Sequence, residues 1–76
     1  MKLHLTFTGE LVKQPVIHEV GHKFRVVTDI RRANVTETEG WVELELSGEQ
    51  AELDKALEEF RRRGVKVEPI EGSVIH

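Results

Sequence analysis

Seventy-six residues make one domain with a modest core, and self-association is the expected remedy for so small a chain. The absence of cysteine excludes disulfides, thiolate metal sites and iron–sulfur clusters built from this chain alone. A net charge of −3 disfavours nucleic acid as a partner, and no stretch reads as a signal peptide or a membrane span, so the cytoplasm is the default location and no membrane insertion is expected.

Lys2 to Thr8 alternates strictly, with Leu3, Leu5 and Phe7 on one face and Lys2, His4, Thr6 and Thr8 on the other. Period two predicts a strand with one buried face. Thr8-Gly9-Glu10 breaks it, and Leu11-Val12 leads towards a helix. Pro15 sits where a first helical residue is expected, with Gln14 as the cap. Val16, Ile17, Val20 and Phe24 then recur at helical spacing and form one buried stripe. Gly21 inside that helix costs roughly 1 kcal/mol against alanine and suggests either close packing against a sheet or simply a weak spot.

Arg25 to Val35 reads as the next strand, and its alternation loosens at Arg31-Arg32-Ala33-Asn34, where a bulge or bend is expected. Thr36 to Gly40 is a polar hairpin loop. From Trp41 to Leu46 the residues Val42, Leu44 and Leu46 face inward, and Trp41, Glu43 and Glu45 outward. Ser47 and Gln50 have the spacing of a capping box, and Leu53, Ala56, Leu57 and Phe60 mark a second amphipathic helix. Arg61-Arg62-Arg63 complements the end of that helix and pairs with Glu58 and Glu59. Gly64 is the natural residue just past the helix. Val65 and Val67 form a last strand ended by Pro69.

The order β-α-β-β-α-β predicts an α+β fold, the ferredoxin-like plait: two helices on one face of a four-stranded antiparallel sheet. Residues 1–70 form the domain and 71–76 a flexible tail. The other sheet face stays open, carrying His4, Thr6, Trp41, Glu43, Lys66 and Glu68, and is a place for a partner.

His18-Glu19-Val20-Gly21-His22 spells the H-E-x-x-H signature of zinc peptidases. The spacing puts both imidazoles on one helix face, with Glu19 as general base. A catalytic zinc needs a third ligand, however, and neither His4 nor His76 has a suggestive spacing. A single plait also offers little room for a substrate cleft. Two solvated histidines are the simpler reading, and no catalytic residue and no metal ligand is assigned. Arg31-Arg32, with Lys2, Arg25 and Lys66, makes a candidate basic patch on an RNA-recognition topology. One aromatic beside two glutamates is a poor base-stacking platform, so a solvated strand edge is favoured.

The helix and strand "PVI…V…F.V", the segment "DIRRANV", the strand "GWVELELSG" and the ending "ALEEFRRRGVKVEPI" together resemble the NIL domain, from Leu3 to about Ile70. The resemblance implies an ACT-like module. Such modules occur at the C-terminus of methionine-importer ATPases, where they bind methionine and inhibit transport. They also occur joined to ferredoxin domains or free-standing. The family's namesake Asn-Ile-Leu tripeptide is matched here by Asp29-Ile30-Arg31, which keeps only Ile30. A carboxylate at Asp29 only accepts hydrogen bonds, attracts a ligand ammonium and repels a ligand carboxylate.

In ACT-like modules small ligands sit where the first strand meets the first helix, near a subunit interface. The resemblance therefore implies a ligand site at Asp29, Ile30, Arg32 and Asn34, with Gly9 as a point of close backbone approach. The alternative is that these residues only complete an edge-strand dimer. The expected function is a non-enzymatic, homodimeric regulatory module that binds methionine or a related sulfur compound without a cofactor. Two alternatives stand beside it: a ligand-free adaptor for a transporter ATPase, ferredoxin or sulfur-metabolism enzyme, and a zinc hydrolase resting on the His18–His22 motif.

Overall fold

The computed structural model describes residues 1–70, and the expected tail at 71–76 lies outside the described residues. Strands β1 (Lys2–Thr8), β2 (Val26–Val35), β3 (Glu39–Gly48) and β4 (Lys66–Pro69) pair antiparallel in the order β2-β3-β1-β4. Helices α1 (Val16–Lys23) and α2 (Gln50–Arg62) lie on one face. The fold is the ferredoxin-like plait that the period-two and period-3.6 patterns predict.

The inward faces of β1 and β3 supply Leu3, Leu5, Leu44 and Leu46, each fully buried. Val16 and Val20 of α1 and Leu53, Ala56, Leu57 and Phe60 of α2 close over them. Each buried leucine or phenylalanine contributes roughly 1.5–3 kcal/mol. Ile17 and Phe24 pack at the margin of this core. Gly21 is where α1 meets β2: a Cβ there would lie 3.2 Å from Thr28 Cγ2. The close packing expected of that glycine is present.

The expected bulge is also present. The β2–β3 register shifts between Ile30 and Arg32, leaving Arg31 as the extra residue. Helix α2 ends in a Schellman motif. Gly64 has φ +92°, its N–H donates to the Arg61 carbonyl, and Val65 N–H donates to the Phe60 carbonyl.

Several boundaries differ from the sequence reading. The Leu11-Val12 approach is a short 3-10 helix, Gly9–Lys13. Pro15 is the cap of α1 and not its first residue, because the residue before a proline is held extended. Gln14 obeys this, with φ −100° and ψ 140°, and leaves Pro15 as the half-in residue. Ser47 does not cap α2. It pairs with Val27 in the ladder, β3 continues through Gly48, and Glu49 is the cap with no side-chain cap bond. Gln50 instead donates to Asp54 Oδ1 at 2.9 Å. The hairpin loop is shorter than expected. Thr36 Oγ1 donates to the Glu39 carbonyl and accepts from Glu39 N–H, which turns the chain early and gives Glu39 and Gly40 to β3. The last strand starts at Lys66, with Val65 buried just before it.

Candidate functional site

Partners opposite each other in an antiparallel pair share a face, so the register sorts the residues of β2. Asp29, Arg32 and Asn34 oppose Glu45, Glu43 and Trp41 on the open face, while Ile30 and Val35 oppose Leu44 and Gly40 on the helix side. Helix α1 approaches β2 closely at Thr28, and from Asp29 to Val35 every residue of the strand is exposed. Among the described residues its outer edge has no pairing strand, and Val27, Ile30 and Val35 are 68%, 54% and 58% exposed.

On the open face the charges are matched across strands. Arg31 Nη2 donates to Glu45 Oε1 at 2.8 Å and lies 3.3 Å from Asp29 Oδ2. The hydrogen bond to Arg31 holds the Glu45 carboxyl below its ordinary range. Arg32 Nε donates to Glu43 Oε1 at 2.8 Å. Trp41 carries the His4 ring stacked at 5.3 Å and the Arg32 guanidinium at 6.0 Å from its ring. The Arg31-Arg32 part of the candidate basic patch is therefore neutralised by its own sheet, and the indole is occupied by neighbours.

The H-E-x-x-H stretch lies on the exposed side of α1. The His18 and His22 rings stack at 5.1 Å. Glu19 Oε1 accepts from Arg63 Nη1 at 2.7 Å. Among the described residues no group of three His, Cys, Asp or Glu side chains is arranged to hold a metal. The motif gives two ligands, with its carboxylate already engaged.

Arg63 belongs to a seam between the helices whose centre is Glu59, only 5% exposed. Glu59 accepts from Arg62 Nε at 3.1 Å and Arg63 Nε at 2.8 Å, and Lys23 Nζ lies 3.5 Å away. Arg62 first, then Arg63, holds its carboxyl down at about 2, against the opposing effect of burial. Two of the three arginines that read as a helix-end cluster thus hold a buried carboxylate, while Arg61 lies 3.9 Å from the exposed Glu58.

An apolar cavity of about 180 Å³ lies where β1 ends and α1 begins. Phe7 of β1, Leu11 and Val12 of the 3-10 helix, Val16 and Ile17 of α1, and Val35 of β2 line it, with Gln14 and His18 as its polar members. The 3-10 helix creates the space: it carries Leu11 and Val12 out over the sheet end before Pro15 starts α1. Val35 places the cavity beside the free β2 edge.

None of the five sequence-named residues is among those lining this cavity. Gly9 N–H donates to the Thr38 carbonyl at 3.0 Å. Asp29 and Arg32 are in ion pairs, Asn34 borders a separate depression with His4, Thr6 and Trp41, and Ile30 is exposed on the helix side. The location that the family resemblance implies, the junction of first strand and first helix, does contain a cavity. Its lining was missed, although Leu11-Val12 and Val35 were apolar residues that no periodicity had absorbed.

A family model described as NIL domain matches residues 2–69. The methionine import ATP-binding protein MetN 2 of Bacillus cereus is 38% identical over 61 residues, covering 75% of this chain and 18% of the relative. Its counterpart MetN 1 of Bacillus licheniformis is 30% identical over 70 residues, covering 87% and 21%. The chain thus spans about a fifth of the length of these curated relatives. The crystal structure of the C-terminal domain of an ABC transporter ATP-binding protein from Enterococcus faecalis superposes with a TM-score of 0.82 at 26% identity, covering 95% of this chain and 84% of that one.

Proposed function

The chain belongs to the NIL domain family, and on that premise we propose that it is a non-catalytic regulatory module of the cytoplasm which binds methionine, or a close sulfur analogue, in the cavity between β1, the 3-10 helix and α1. Two copies associate along their β2 edges, and the module acts with a transporter ATPase. The observation that carries this reading is an apolar cavity opening beside an unpaired strand edge that exposes Ile30 and Val35.

The chemistry fits such a ligand. A thioether is soft, unbranched and able to fill an irregular apolar space. Gln14 offers an amide that both donates and accepts, and His18 a second polar group, at the rim where a charged head would lie. Full burial of an ammonium and a carboxylate in this apolar lining would be costly, so the head stays at the mouth. Strand addition at the β2 edge supplies backbone partners and covers the apolar side chains in one step. A closed pair with twofold symmetry covers the β2 edge of both copies at once. The names of the relatives, methionine import ATP-binding proteins, support the choice of ligand and partner.

The test is a thermal melt against L-methionine, homocysteine, cysteine and S-adenosylmethionine, repeated with Val12→Trp, which fills the cavity. A melting temperature that rises with methionine concentration in the native chain, and does so weakly or not at all in Val12→Trp, is expected. Mass action sets the scale: about 2.7 kcal/mol of stabilisation at a hundredfold excess over the dissociation constant. A flat response to every compound would sink the ligand half of the reading.

A further inference from the structure

His18 lies in two places at once. It is part of the cavity lining, and it also faces the exposed groove formed with Glu19, His22, Lys23 and Arg63. From this we propose that His18 and His22 chelate a divalent transition cation, and that this cation takes the α-amino and α-carboxylate groups of an amino acid whose side chain fills the cavity. The second half rests on the cavity reading above; the first half stands without it.

The geometry supplies the chelate. Residues four apart on a helix sit one turn above each other. The two rings are already face to face, with centroids 5.1 Å apart and planes at 30°. Both residues are exposed, so the rings can turn their nitrogens towards a shared ion from the solvent side. Among the described residues neither imidazole is engaged by a hydrogen bond or an ion pair.

Two nearby cations would oppose a metal, but each is already spent. Arg63 is bonded to Glu19 and Glu59, and Lys23 is paired with Glu59. The same pairing removes Glu19 as a third ligand. The chain therefore supplies two nitrogens and leaves the remaining coordination positions open. An α-amino acid brings one nitrogen and one oxygen in a five-membered chelate, which completes four donors for zinc and suits nickel as well. The ligand ammonium releases one proton to solvent as it binds the metal, so no other reactant is needed. This arrangement also answers the problem of the charged head. The apolar cavity takes the side chain, and the metal at its rim takes both polar groups.

The test uses tag-free native chain and Zn²⁺ itself. Isothermal titration with Zn²⁺ alone is expected to give one site per chain that is lost in His22→Ala; undiminished zinc binding in His22→Ala overturns the chelate. The zinc-loaded chain is then titrated with L-methionine and with 4-(methylthio)butanoate, which has the same side chain and carboxylate but no amine. A blank titration into zinc removes the complex formed in free solution. Zinc is expected to tighten methionine on the order of tenfold and to leave the desamino compound unaffected. Equal tightening of both, or of neither, overturns the ternary site. Methionine that fails to bind with or without zinc defeats the cavity reading instead, and leaves the zinc-alone result to decide the chelate.

Discussion

The seam between α1 and α2 and the outer edge of β2 meet solvent in opposite ways. The seam buries a carboxylate, and three cations surround Glu59 so that its charge is satisfied. No buried side-chain nitrogen or oxygen among the described residues lacks a partner. The edge does the reverse. It leaves apolar Val27, Ile30 and Val35 more than half exposed, next to backbone groups that no strand among the described residues pairs with. A seam that is complete within one chain is structural. On the proposed function, the edge left incomplete within one copy is where a second copy and a ligand contribute.

The largest expected effect comes from opening the finished side. Phe60 is fully buried beneath the seam. Phe60→Ala should cost about 3–5 kcal/mol in urea denaturation, a large part of what a chain this size has. A loss below about 1 kcal/mol would mean that the helix side is not what holds the domain together.

Ile30→Lys tests the unfinished side. Ile30 is 54% exposed, so the folded monomer should change by no more than about 0.5 kcal/mol. Association should be lost, because a lysine on each copy places like charges along the shared edge. Sedimentation at several concentrations reads this directly. A native mass in the variant would move the dimer interface away from β2.

Glu59→Gln separates the two regions by pH. The native carboxyl sits at about 2 against an ordinary value of 4.5. A depressed native value means that the charge contributes stability above the unfolded value and loses it as pH falls. The native chain should therefore melt several degrees above the variant at neutral pH, and the gap should narrow between about pH 4.5 and 2. Melts recorded across that window check it. A gap that is constant with pH would assign the effect to packing and not to the ion pairs.

How much of this was legible in the sequence follows the same division. The finished side was readable because burial imposes periodicity: Leu3-Leu5-Phe7, Val42-Leu44-Leu46 and Leu53-Ala56-Leu57-Phe60 each repeat with their element's period. Gly21, Gly64 and the bulge at Arg31 were readable for the same reason, since each interrupts a pattern. The buried role of Glu59 was not, because a glutamate before arginines on a helix looks the same whether it is solvated or enclosed. The cavity was illegible because it is a gap between elements. Leu11, Val12 and Val35 belong to three segments, and only the 3-10 helix brings them together. Asp29, Arg32 and Asn34 were named by resemblance, from the segment around the tripeptide position, and the register with its bulge puts all three on the face away from that gap.

Arg32→Ala carries the smallest expected change and weighs those two faces directly. The Arg32 side chain is 72% exposed, its hydrogen bond to Glu43 is a surface ion pair, and its guanidinium sits 6.0 Å from the Trp41 ring. Such contacts are worth little in water, so the loss of stability should stay below about 1 kcal/mol. With the ligand in the helix-side cavity, the methionine-induced rise in melting temperature should survive the substitution, while Val12→Trp removes it. The reverse result, a melt close to native with the methionine response gone, would put the ligand on the open face beside Asp29 and Asn34. The free β2 edge would still be the unfinished part of the molecule. What sits against it would then reach around to the Trp41 side of the sheet, and the cavity at the foot of α1 would have no occupant.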